Sequence, residues 1–307
     1  MKNILLTAAG TGTAFSYAVA IAKNFEDKIA LFTADTNLEE FVTSSLFSKT
    51  HFQVESIYAK EYLSKIKDIL IENKIDLYIP LIDLEVEQSS KDEMLRKYLA
   101  TNEHQFVKNC IEKSNYHLNF HMKELKFPKK ISLSNLESNK HYMVKEDGGF
   151  GGRGSKVLQG LDINECPAGK AIYEYITGIE YTVDCFPCNH DVFTSVRQRL
   201  EVKNGVCTKA LIVKDMALNN ISLEISEKFK LKHPFCFQVI VNDDGCYLID
   251  VNPRLGAGSA MSAVNGMDFF SAHLALLIGE DPIKYLKCYN DSCIVTRQYS
   301  NYLMKVI

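Results

Sequence analysis

The stretch that most constrains this chain runs from Cys236 to Gly258, CFQVIVNDDGCYLIDVNPRLGAG, where polar side chains stand at positions a buried β-hairpin would normally fill with apolar ones. Cys236 to Val241 and Cys246 to Val251 read as strands, with Asp243-Asp244-Gly245 as the turn. A three-residue loop pairs Asn242 with Cys246, Ile240 with Leu248 and Gln238 with Asp250, and the two-residue period of a strand adds Asn252 to the same face. A two-residue Asp244-Gly245 turn puts Gln238 on the opposite face instead. In the first register one carboxylate and two amides converge, the hard-oxygen donor set that suits Mg²⁺. The competing reading is a hairpin whose end leaves into a polar loop, where Asp and Asn satisfy backbone groups.

With 307 residues and 46% hydrophobic content, the chain can bury a full core in two or three lobes. A net charge of −3 gives no general nucleic-acid surface, and no apolar run is long enough to span a membrane. Nine cysteines, an odd number in no regular framework, fit free thiols in a reducing compartment, so a cytoplasmic protein is expected. Asn3 to Ala22 faintly resembles a secretory signal. Gly10 and Gly12 break it after a short β-rich run, however, and a strand, turn and helix account for the segment.

Lys2 to Thr7 reads as a buried parallel strand, Ala14 to Lys23 as a helix and Ile29 to Thr33 as a second strand, an open α/β beginning. Gly10-x-Gly12 followed by Asp35 invites a dinucleotide reading, but Phe15 stands where G-x-G-x-x-G needs its third glycine. Glu61 to Asn73 has helical periodicity, and Leu77 to Ile82 is a further strand. Asp83 and Glu85 at its C-terminal end are substrate-site candidates, or a cap for a helix from Glu85 to Leu99. Asn102 to Lys130 reads as helical until Phe127-Pro128, and His117 and His121 within it lack companions at metal spacing.

The second informative stretch is MVKEDGGFGGRGSKVL, Met143 to Leu158, in which five of the seven residues from Gly148 to Gly154 are glycine. Missing side chains let backbone N–H groups approach phosphate oxygens, and Lys145 and Arg153 add positive charge. Strands lie on both sides, so this is not a P-loop, which leads into a helix. Downstream, Glu174 and Glu180 flank a short apolar run. Arg197, Arg199 and Glu201 alternate onto one strand face, with Lys209 across from it, an arrangement that suits phosphate or carboxylate recognition or simply a solvated sheet. Cys185 and Cys188 form a lone C-x-x-C along a strand. A helix from Phe269 to Ile278 and a strand from Cys293 to Gln298 close the chain.

Taken together, ILLTAAGTG, IPLIDLE, VKEDGGFGGRG, YEYITGIEYTVD and FQVIVNDDGCYLIDVNPR resemble the ATP-grasp superfamily, in the branch similar to the large subunit of carbamoyl-phosphate synthase. The resemblance implies an α/β and α+β architecture. A Rossmann-like domain would occupy residues 1–105 and an ATP-grasp domain residues 106–307, with a lid subdomain at about 127–174 and a C-terminal subdomain at about 178–307.

By the same resemblance, ATP is held by Lys113, Lys145, Gly149, Gly151, Gly152, Arg153, Gly154, Glu174, Tyr175, Ile176 and Glu180. Gln238, Asp250 and Asn252 match metal positions for Mg²⁺, or Mn²⁺ in its place. Arg254, Lys145 and Arg199 match the cations around the transferred phosphate. Family members often carry Glu where Asp250 stands, so the shorter arm alters the metal spacing.

The implied activity is a carboxylate–amine ligase that uses an acylphosphate, acts on a small-molecule carboxylate and an amine or ammonia, and needs neither nucleic acid nor membrane. Homodimers are common among such enzymes. Two other readings compete: an NAD-dependent oxidoreductase built on the first glycine turn, and a nucleotide-binding regulator without turnover.

Overall fold

The structure, a computed structural model, describes residues 1–146, 155–166, 168–203 and 205–306. The apolar run Lys2–Leu6 forms β1, with Ile4, Leu5 and Leu6 fully buried. The chain then turns at Gly10 and enters α1 (Gly12–Asn24), whose N-cap Thr11 accepts a hydrogen bond from the Ala14 amide. β2 (Ile29–Asp35), β3 (Thr50–Gln53), α2 (Tyr62–Glu72) and β4 (Leu77–Ile79) complete a parallel sheet of order β3-β2-β1-β4. Strand order reverses beside β1, so the ends of β1 and β4 frame a crevice of the kind that collects ligands in open α/β sheets.

Helix α3 (Asp83–Lys91) begins at that crevice. It stops well short of the expected Leu99, because the Asp92 carboxylate takes the amides of Met94 and Leu95 and starts a separate turn. The expected helix through residues 102–127 is also broken, into α4 (His104–Ile111) and α5 (Tyr116–Asn119), followed by β5 (Leu125–Lys126). Phe106 and Cys110, then Tyr116 and Phe120, each fit one helix stripe, but the six-residue step between the pairs does not. The break lets all four reach one core.

An antiparallel sheet of order β7-β6-β8 comes next: β6 (His141–Glu146), β7 (Lys156–Gln159) and β8 (Lys170–Glu174). The largest sheet uses β9 (Ile179–Cys188), β10 (Asp191–Lys203), β11 (Val206–Val213), β12 (Phe235–Asn242), β13 (Gly245–Asn252) and β14 (Ser292–Thr296), in the order β14-β11-β10-β9-β12-β13-β5. Helix α6 (Met216–Phe229) buries Leu218, Ile221 and Ile225 against Val183, Val196 and Phe237 of this sheet. After β13 come α7 (Ala260–Ala263) and α8 (Phe269–Leu277). The latter shares a core with α1 and so ties the C-terminal region to the first sheet.

All nine cysteines are free, and among the described residues no helix is long and apolar enough to cross a membrane.

Candidate active site

The β12–β13 hairpin reaches the expected Gln238–Asp250 pairing by a different route. Its turn holds two residues, Asp243-Asp244, with Asn242 opposite Gly245, so near the turn Val241 faces Cys246 and Val239 faces Leu248. The expected three-residue loop, with Asn242 opposite Cys246 and Ile240 opposite Leu248, is therefore corrected by one position. A bulge that leaves Ile249 without a partner restores Gln238 opposite Asp250. Asn252, opposite Cys236, donates its amide to Asp250 Oδ2 at 3.0 Å. The other Asp250 oxygen meets Lys113 Nζ at 2.6 Å, which brings the loop after α4 onto the hairpin.

Of these groups, Lys113, Gln238 and Asp250 line a cavity of about 570 Å³ between the three-stranded and seven-stranded sheets, together with Lys145, Glu174, Tyr175, Ile176 and Glu180, while Asn252 stands behind Asp250. Lys145, placed opposite Ala171 by the β6–β8 register, lies 4.7 Å above the Tyr173 ring. Glu174 closes β8 and Glu180 stands second in β9, and the linker between the two strands lies directly against β12. Asn242 donates to the Thr177 carbonyl at 2.8 Å. A Cβ on Gly178 would stand 2.5 Å from the Val241 carbonyl oxygen, so only glycine permits this wall. The expected contacts Gly149, Gly151, Gly152, Arg153 and Gly154 lie outside the described residues.

Arg254 leaves the hairpin toward the crevice of the first sheet, where its Nε lies 2.7 Å from Asp83 Oδ1. Burial pushes the Asp83 carboxyl above the ordinary aspartate value, and Arg254 only partly offsets that. Burial opposes the charge on Arg254, but Asp83, together with Cys236 and Asp250, outweighs it and the pKa is raised.

Glu85 departs from its expected place at a substrate site. It is fully buried and accepts hydrogen bonds from Thr7 at 2.9 Å, Tyr78 at 2.6 Å and Tyr62. Burial raises its pKa despite these three donors, and no solute reaches it.

Two of the expected cations on β10 are also spoken for. Arg199 does not line the cavity; it pairs with Glu180 at 3.0 Å and donates to the Gly205 carbonyl at 3.1 Å, so it orients a cavity carboxylate. Arg197 is buried and pairs with Asp184 through Nε at 2.9 Å and Nη2 at 2.7 Å. A bulge beyond Arg199 breaks the expected common face with Glu201, which takes Lys209 at 3.0 Å and Lys203 at 3.3 Å. The sequence motif YEYITGIEYTVD ends at Asp184 without marking a role for it; the available signal is a lone acid in the run TVDCF and a lone Arg in SVRQ, two positions along from the residue paired with that acid.

The first glycine turn is closed on itself. Asp35 accepts from the Gly10 amide at 2.8 Å and, through its other oxygen, from the Asn37 amide at 3.0 Å. A carboxylate occupied in this way is not presented to a ribose.

The donor set around Asp250 fits Mg²⁺. One carboxylate and two amide oxygens are hard ligands. Among the described residues no cluster of three His, Cys, Asp or Glu side chains offers a softer alternative, and His117 and His121 gather no third ligand.

A family model described as "ATP-grasp in the biosynthetic pathway with Ter operon" matches residues 171–297. No curated protein sequence matches the chain. Among solved structures, the biotin carboxylase domain of Hydrogenobacter thermophilus 2-oxoglutarate carboxylase superposes with a TM-score of 0.72 at 13% identity, over 91% of this chain and 70% of that one. The L-amino acid ligase of Bacillus licheniformis gives 0.70 at 11% identity, over 94% and 78%. The N5-carboxyaminoimidazole ribonucleotide synthetase of Thermotoga maritima gives 0.69 at 10%, over 94% and 78%. This is an ATP-grasp fold. These matches do not single out the carbamoyl-phosphate synthase branch.

Proposed function

We propose that the chain is an ATP-dependent ligase that activates a small-molecule carboxylate as an acylphosphate and then joins it to an amine or ammonia. The observation that carries this reading is the inter-sheet cavity. Lys113, Lys145, Glu174 and Glu180 converge there on a hairpin end that offers Gln238, Asp250 and Asn252. Carboxylates suit ribose hydroxyls, cations suit phosphates, and clustered oxygen donors suit a metal. The similar structures include one bound to MgADP and bicarbonate and one named as an amino acid ligase, which agrees with this reading.

In the first step a substrate carboxylate oxygen bonds to the γ-phosphorus of ATP while the bond to the β–γ bridging oxygen breaks. ADP leaves with that electron pair. In the second step the amine nitrogen bonds to the acyl carbon, phosphate departs, and the nitrogen gives up its proton to solvent. Lys145 and Arg254 neutralise charge on the transferring group. Gln238, Asp250 and Asn252 would hold Mg²⁺, which supplies further neutralisation of the phosphates. No protein nucleophile is required.

Thermal unfolding with ADP and Mg²⁺, with ADP and chelator, and with NAD tests the reading. Ligand at about a hundred times its dissociation constant adds roughly 2.7 kcal/mol. Metal-dependent stabilisation by ADP is expected, and stabilisation by NAD alone would move the site to the first glycine turn.

A further inference from the structure

A second cavity, of about 560 Å³, runs along the outer face of α1, between that helix and the segment following β14. Phe15, Val19, Phe270 and Tyr302 form its apolar walls, and the Tyr302 ring meets Phe15 edge-on at 5.5 Å between centroids. Arg297 lies at its inner end and donates to the Ala257 carbonyl, three residues beyond Arg254. The cavity thus adjoins the loop that carries Arg254, which pairs with Asp83.

The charge at that inner end is unbalanced. Two arginines approach the loop from Ala257 to Ser259. Arg197 packs against Gly258 so closely that a Cβ there would stand 2.4 Å from Nη1, and Asp184 neutralises it. For Arg297, no carboxylate lies within ion-pair distance among the described residues; its guanidinium makes one hydrogen bond, to a neutral carbonyl. Burial and the neighbouring Arg197 both lower its pKa, so the fold holds this charge at a cost. Asp268, the acid that also lines the cavity, is engaged with the amide and hydroxyl of Ser271 at the start of α8.

We infer that this cavity binds the acceptor substrate, a carboxylate with an apolar or aromatic body, its carboxylate on Arg297 and its body along Phe15, Val19 and Tyr302. The volume suits a ligand of that size, and the lining is mixed: Lys23, Thr43, Ser44 and Gln298 stand beside the aromatic walls, so polar groups are available to orient a ligand. A carboxylate accepts two parallel hydrogen bonds from a guanidinium, which a neutral amide cannot match. The acceptor role rests on the ligase reading above; the binding site does not.

The test uses 3-phenylpropanoate and 3-phenylpropanamide, titrated without nucleotide into the wild type, Arg297→Gln and Val19→Glu and followed by NMR. Val19 is on the helix surface, so Val19→Glu places a repelling charge in the cleft without disturbing the core. Saturable binding of the carboxylate but not the amide is expected, weakened by about tenfold in Arg297→Gln and also in Val19→Glu. Equal affinity of carboxylate and amide, unchanged affinity in both variants, or no saturable binding to the wild type would overturn the proposal. Absence of MgADP stabilisation in the wild type would sink the ligase reading alone, because phenylpropanoate binding is read without nucleotide.

Discussion

Asp250 with Lys113 and Asp184 with Arg197 are acid–cation pairs of nearly the same length, 2.6 and 2.7 Å, yet they occupy opposite environments. The Asp184 side chain is 0% exposed, and its oxygens are taken up by Arg197, Ser259 at 2.7 Å and Ser262 at 3.3 Å, so nothing can be added to it. The Asp250 side chain is 17% exposed at the wall of a large cavity, and one of its oxygens is matched only by a lysine that a stronger cation can displace. What separates the candidate site from the strut is therefore access to the carboxylate rather than the strength of its salt bridge. Asp184 fastens the loop after β13, while Asp250 is presented by that strand.

The sharpest way to break this comparison is to neutralise each acid in turn. Asp250→Ala should lower ADP production by a factor on the order of 10² to 10³, as expected for loss of one preorganised electrostatic partner, with the fold intact. A coupled assay for ADP release checks the rate and circular dichroism the fold. Wild-type turnover in this variant would remove Asp250 from the site. Asn252→Ala and Lys145→Ala are expected to act in the same direction.

Asp184→Ala should show the reverse pattern, with stability affected first. Removing one member of a buried pair strands the other charge and costs roughly 3 to 5 kcal/mol. Urea unfolding should show a lower midpoint with an unchanged slope. A variant as stable as the wild type would mean that Arg197 finds another partner or water.

Asp83 with Arg254 lies between the extremes, with side chains 9% and 22% exposed, and pH separates its two roles. Its pKa is raised, so the folded chain binds this proton more tightly than the unfolded chain does. Its contribution to stability is therefore fully present below the ordinary aspartate value and is lost as pH rises through the window up to the folded value. Turnover should run the other way, because protonated Asp83 no longer holds Arg254. The acid limb of the pH–rate profile should lie above the ordinary aspartate pKa and disappear in Asp83→Asn, and an unchanged limb would assign it to another group.

The sequence made the Asp250 side of this comparison legible and left the Asp184 side hidden, for a physical reason. Gln238, Asp250 and Asn252 break the apolar alternation of a strand at the end of a hairpin, a conflict that local patterning exposes. Their pairing survived a wrong turn length only because the bulge at Ile249 compensates, and periodicity carries no mark of that bulge. Asp184 and Arg197 lie on neighbouring strands in the middle of the largest sheet, and their bond depends on side-chain reach across a register that one strand alone does not define. Likewise, Glu85 beside Asp83 looked like a second ligand at a strand end. Its partners Tyr62 and Tyr78 come from elsewhere in the chain and turn it into part of the core.

The smallest effect is expected where the same ion pair meets bulk water. Lys140 and Glu137 are 2.7 Å apart, as close as Asp184 and Arg197, but their side chains are 59% and 58% exposed. Solvent screens the attraction, and ordering two long side chains offsets what remains. Lys140→Ala should therefore leave both the melting temperature and ADP release at wild-type values. A clear loss of stability would show that distance alone ranks these pairs, and the contrast between Asp184 and Asp250 would then need an explanation other than access.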